Sequence, residues 1–174
     1  MATSSAVRLP DDRRDGRPVP RWAAVAAHLV PLTTLPSGLW RVPLALGFPM
    51  GIVGVHLAWW EPAYFIGLSL VTEGAALLTL GLVRPWGERV PAWVPLLGGR
   101  RVPPLAAVVP ASIGAVVVAL IWAFAFRDFP ELGAFQFTHH GWKVLMIASY
   151  LPLLLWAPLL AAVTVAYYRR RCQD

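Results

Sequence analysis

The feature that most constrains this chain is "LAAVVPASIGAVVVALIWAFAF", residues 105–126, twenty-two positions without one charged side chain. A spanning helix needs about 20 apolar residues, and this stretch satisfies that by itself. Three others meet the same test. Residues 22–46 begin "WAAVAAHLVPLTTLPSGLW" and are interrupted by Arg41; residues 62–83 contain Glu73; residues 144–168 read "VLMIASYLPLLLWAPLLAAVTVAYY". "FPMGIVGVHLAWWE", from Phe48 to Glu61, is apolar but too short to cross, and reads as an interfacial or re-entrant piece. Composition agrees: 57% of residues are hydrophobic and 14% charged, against roughly 45–50% and about 25% in soluble domains. The expected fold is therefore all-α, an integral membrane bundle of four transmembrane helices whose main partner is the lipid bilayer.

Charge placement sets the expected orientation. Residues 1–21 carry Arg8, Arg13, Arg14, Arg17 and Arg21; the loop 84–104 carries Arg84, Arg89, Arg100 and Arg101; the terminal segment 169–174 carries Arg169, Arg170 and Arg171. Only Arg41, Arg127 and Lys143 fall on the other side. Basic loops stay cytoplasmic, so both termini are expected inside. Trp22, Tyr167 and Tyr168 mark the inner interface in this reading, and Trp40, Trp59, Trp60, Tyr64 and Trp142 the outer one. Residues 1–21 are polar, with no apolar core of a cleaved signal, and read as a disordered basic tail. No basic helix face with interleaved aromatics supports nucleic-acid binding. The single cysteine, Cys172, excludes an intrachain disulfide and a CxxC site.

Glu73 is the residue that needs an account. At 100° per residue, Ser69, Thr72, Glu73, Ala76 and Thr79 share one arc of the second span. Gly67, Gly74 and Gly81 share a second arc, and Leu68, Val71, Ala75, Leu78 and Leu82 fill a lipid-facing third. Small residues permit close helix approach and polar ones bond across it, so Glu73 is expected to point into the bundle. It lies roughly 15 Å from either end of its span, level with Thr33 and Thr34 of the first, while His28, about 9 Å in, is within reach. Pro31 and Pro36 flank those threonines, and each removes a backbone donor. Broken helix at the midplane facing a carboxylate is a known way to hold an ion or substrate. The competing account is structural: hydroxyls repair the broken backbone, and a protonated Glu donates between helices. Glu73, His28, Thr33, Thr34 and Thr72 are the candidate ligand or proton site.

The remaining clusters carry less chemistry. His56, His139 and His140 fall on the outer side as weak metal candidates, but no HxxxH or HExxH spacing supports them. His28 lies near the opposite face from the other three, so a bis-histidine haem is not expected, and no cofactor is implied. In the central loop, Arg84, Trp86, Arg89, Trp93, Arg100 and Arg101 combine basic and aromatic side chains. Together they read as an anchor on anionic inner-leaflet lipids. "GGRR" lacks the GK[ST] ending of a phosphate-binding loop. There is no GxSxG and no Asp-rich diphosphate motif.

"TLPSGLWRVPLALG" and "GLVRPWGERVPAWVPLLGGRRVPP" resemble small multi-pass membrane proteins of high-GC actinobacteria. The resemblance covers residues 22–168 and implies a four-helix fold in a bacterial plasma membrane. It carries over no activity and no site residue. The functional expectation is a non-enzymatic membrane protein, structural or accessory or passing a small solute or proton, with Glu73 as its polar centre. The contrasting expectation is a membrane enzyme using Glu73 as a general acid on an isoprenoid-like substrate, with Trp122, Phe124, Phe126 or Trp156 as cation-stabilising walls. Passage through four spans calls for a homo-oligomer, for which the glycine arc is one contact surface.

Overall fold

A computed structural model describes residues 18–87, 99, 102–127 and 136–172. Its elements are α1 (Arg21–Ala45), α2 (Glu61–Leu78, prolonged by a 3₁₀ turn Thr79–Leu82), α3 (Pro104–Arg127), α4 (His140–Tyr150) and α5 (Trp156–Cys172). A 3₁₀ turn, Leu151–Leu155, joins α4 to α5 into one continuous rod. It falls at Pro152, which cannot donate to the helical ladder. Among the described residues the fold is all-helical, with one isolated bridge between Ile52 and Phe137.

Among the described residues, three stretches are long and apolar enough to cross a membrane: Glu61–Leu82, Pro104–Ala125 and His140–Cys172. The last runs beyond both ends of the expected 144–168 span, because helical hydrogen bonding continues through Arg169, Arg170 and Arg171. The expected first span has the length, about 37 Å for its 25 residues, but not the apolarity. Its hydroxyl residues and Arg41 lie inside the bundle. Val25, Leu29, Leu32, Leu35, Leu39, Val42 and Leu46 are exposed, while Ala27, Val30, Thr33, Thr34, Ser37 and Arg41 are buried. This inverted pattern, small and polar within and branched aliphatic without, suits a lipid surround.

α1 packs on α2, α4 and α5, and α3 lies against α5. The core joins Ala27 and Val30 of α1, Ala76 of α2, Ala115 of α3, and Leu153, Trp156, Leu160 and Val163 of the final rod. α1 and α2 run antiparallel, since His28 meets Arg84 and Arg41 meets Ser69. Arg170 donates to the Leu82 carbonyl at 3.3 Å. Arg84 and Arg170 therefore share the end at which α1 begins.

At the opposite end, residues 46–60 form a lid of turns. Val53 N–H donates to Gln136 and Thr138 N–H to Gly51, both at 2.8 Å. Gly47, Met50, Gly51 and Gly54 take positive φ, so the chain folds back rather than forming a helix. Gly51 has φ +74, and a Cβ there would run into the Trp142 ring, which stacks edge-on against Trp40 at 6.2 Å. Gly51→Ala is expected to destabilise the lid end by about 1–3 kcal/mol through overpacking and backbone strain. The check is hydrogen exchange: the Val53 and Thr138 amides should lose protection while the α1–α2 core keeps it.

The structure corrects several interface assignments. Trp40 is buried and held by Trp142, and Tyr167 is buried in the core with Arg170 over its ring at 5.5 Å. Neither sits at a lipid interface. Trp22, Trp59, Trp60, Tyr64 and Tyr168 are exposed. Arg21 opens α1 and is not part of a tail.

Candidate functional site

The α1–α2 contact is a seam of hydroxyls, one carboxylate and one guanidinium. On α2 the expected arc faces inward: Ser69 and Glu73 reach α1, and Ala76 and Thr79 are buried. Leu68, Val71 and Leu78 of the opposite arc are exposed, whereas Leu82 turns into the core after the 3₁₀ turn. The glycine arc is uncovered at Gly67 and Gly74, where a Cβ would meet nothing within 4 Å. Only Gly81 is covered, by the Trp86 ring at 2.9 Å.

Glu73 is half-buried, and its Oε2 lies 2.7 Å from Thr34 Oγ1. The same Thr34 hydroxyl lies 2.9 Å from the Pro31 carbonyl. A hydroxyl carries one proton, so it cannot serve both acceptors fully. With Glu73 ionised, Thr34 donates to the carboxylate. With Glu73 protonated, the acid donates to Oγ1 and Thr34 donates to Pro31. Both arrangements need only a hydroxyl rotation.

The seam continues one turn outward. Ser37 donates to the Thr34 carbonyl at 2.8 Å and accepts from Arg41 Nη2 at 3.1 Å. Arg41 Nη1 donates to Ser69 at 3.2 Å, and Ser69 passes its own proton to the Phe65 carbonyl at 2.8 Å. The guanidinium also lies 5.7 Å from the Tyr150 ring centroid. Arg41 is only 7% exposed. Charge counting places it at the outer rim; the structure buries it and bonds it to Ser69, which lies one helical turn before Glu73. A cation within a span, four residues after Ser37, is the signal that finds it, because buried charges are costly and need partners.

The other expected residues separate. Thr33 is buried and donates to the Val30 carbonyl at 2.7 Å, away from Glu73. Thr72 is half-buried beside Glu73. His28 is exposed at the end where α1 begins: Nδ1 donates to the Ala24 carbonyl at 2.7 Å, and Nε2 accepts from Arg84 at 3.0 Å. It belongs to the Arg84 corner, not to the carboxylate. Pro31, Pro36 and Pro43 release the carbonyls of Ala27, Leu32 and Leu39, yet the hydroxyls bond Val30, Pro31 and Thr34 instead. Local repair of the proline breaks is not what the threonines do.

Among the surface-anchor residues, Arg84 and Trp86 are exposed, and Arg89, Trp93, Arg100 and Arg101 lie outside the described residues. His56, His139 and His140 are exposed. Among the described residues, no group of three or more His, Cys, Asp and Glu side chains could hold a metal ion. Among the described residues, the seam thus defines a class by chemistry alone: a helical bundle with three membrane-length helices, in which hydrogen bonds run from Arg41 to Ser37, from Ser37 to the Thr34 carbonyl, and from the Thr34 hydroxyl to Glu73. Comparison with family models, curated proteins and solved structures finds no match.

Proposed function

We propose that the chain is a non-enzymatic, multi-pass protein of a bacterial plasma membrane. It crosses four times with both termini cytoplasmic, and its working centre is the α1–α2 seam. There Glu73 accepts and releases a proton that Thr34 redirects. The observation that carries this reading is the shared hydroxyl: Thr34 Oγ1 within hydrogen-bonding distance of both Glu73 and the Pro31 carbonyl. A structural carboxylate needs one fixed partner; this one has a partner that serves either protonation state. Arg41 belongs to the same seam, bonding Ser69, which lies one turn before Glu73 on α2. The basic end of the bundle is taken as cytoplasmic, resting on anionic lipids, by the positive-inside rule. Passage by this route uses an assembly of two or more copies, with the uncovered Gly67 and Gly74 face available between them.

The enzymatic alternative has less support. Phe124 is exposed and Trp156 buried in the core. Trp122 lines a cavity at the outer end whose lining does not include Glu73. The test is proton flux in liposomes with a trapped pH dye and an imposed potassium potential. Wild-type protein should acidify the lumen, and Glu73→Gln should slow it at least about tenfold, the scale of one acid–base group. Equal rates in the two would remove proton passage from the reading.

A further inference from the structure

At the lid end of the bundle lies a partly open cavity of about 610 Å³, within the size range of small-molecule sites. Four aromatic rings form its walls, each from a different helix: Trp40 of α1, Phe65 of α2, Trp122 of α3 and Tyr150 of α4. The lid lines one side of it and contributes His56. Among the described residues, Glu61, the first residue of α2, is its one acidic lining residue, and no Lys or Arg lines it. The carboxylate is already oriented, since Oε2 accepts the Ala58 N–H at 2.6 Å.

We infer that this cavity binds a lipid-soluble organic cation, with Glu61 as counter-charge and the aromatic faces as walls. Ring faces attract cations, most strongly where water is excluded. A formal negative charge among apolar walls selects the sign of the ligand. Arg41 opposes this from behind Tyr150, at 5.7 Å from that ring. The cation is therefore expected on the Glu61, Phe65 and Trp122 side. An acyl chain would suit the apolar walls but would leave Glu61 without a role beyond its turn. A lipophilic anion would face Glu61 directly.

Tetraphenylphosphonium and tetraphenylborate have nearly the same shape and opposite charge, so the pair isolates the electrostatic preference. Binding to the purified full chain in neutral detergent is read by equilibrium dialysis against protein-free micelles. The phosphonium should bind at least about tenfold more tightly than the borate. Glu61→Gln should remove most of that preference, because the charge is lost while the amide oxygen still accepts from Ala58 and preserves the turn. Ala125→Trp, which fills the cavity from α3, should abolish binding of both ions. Glu73→Gln should leave binding unchanged, which separates this site from the proton site. No preference for the cation, or a preference that survives Glu61→Gln in a protein of unchanged helicity, would overturn the inference.

Discussion

Arg41→Ala will lower the stability of the purified protein by about 3 kcal/mol, roughly a hundredfold shift in the unfolding equilibrium. The guanidinium holds two hydroxyls at 3.1 and 3.2 Å and faces the Tyr150 ring. Hydrogen bonds from a charged donor each contribute about 1.5–3 kcal/mol. Truncation also empties the space of a long stem that is almost fully buried. Against this stands the relief of desolvation, since a buried charge is costly. The hydroxyls tip the balance, because Ser37 and Ser69 keep their own proton bonds to carbonyls and present only lone pairs inward. Arg41→Lys should recover less than half of the loss, as a single ammonium cannot span Ser37 and Ser69 as a planar fork does. Arg41→Met should fall between, retaining the stem and losing the head. Unfolding in mixed micelles, followed by helicity, gives all three. An Arg41→Ala protein as stable as wild type would mean that the guanidinium bonds water and contributes nothing to the seam.

How far the sequence disclosed this follows from where each signal resides. The inward arc of α2 is a local property: five residues at 100° spacing place Ser69 and Glu73 together, and the fold agrees. Depth along the bilayer brings Thr34 level with Glu73, but it cannot separate Thr34 from Thr33. That choice depends on the rotation of α1, which its exposed aliphatic stripe from Val25 to Leu46 fixes. Arg41 misleads because it stands near the end of its span, where an arginine ordinarily belongs to a loop; its bonds to Ser37 and Ser69 and the Tyr150 ring beside it hold it inside the bundle. The lid itself is non-local. It depends on pairing with Gln136 and Thr138, more than 80 residues away, and no period in "FPMGIVGVHLAWWE" encodes a distant partner. The cavity is still less local, since each of its four rings comes from a different helix.

Thr34→Val and Glu73→Gln should then have opposite consequences for stability, although both touch the same 2.7 Å contact. Valine fills the space of threonine but brings no hydroxyl, so Glu73 Oε2 loses the partner shown for it. Leaving a fully buried acceptor unmet costs about 1–3 kcal/mol, and the half-buried Glu73 is expected at the low end of that range. Glutamine instead copies the protonated acid. Its amide can donate to Thr34 Oγ1, which frees the hydroxyl proton for the Pro31 carbonyl, and every acceptor in the group is served. Glu73→Gln is therefore expected to be at least as stable as wild type while losing proton flux, and Thr34→Val to lose both. Thr34→Ser, which keeps the hydroxyl, should retain flux. Unfolding and flux measured on the same preparations distinguish this from simple packing. If glutamine and valine destabilise alike, Thr34 serves a permanently ionised Glu73 in one direction only, and the seam is a structural bond rather than a proton switch. If valine alone destabilises, the shared hydroxyl is the element through which the carboxylate changes state without disturbing the helices around it.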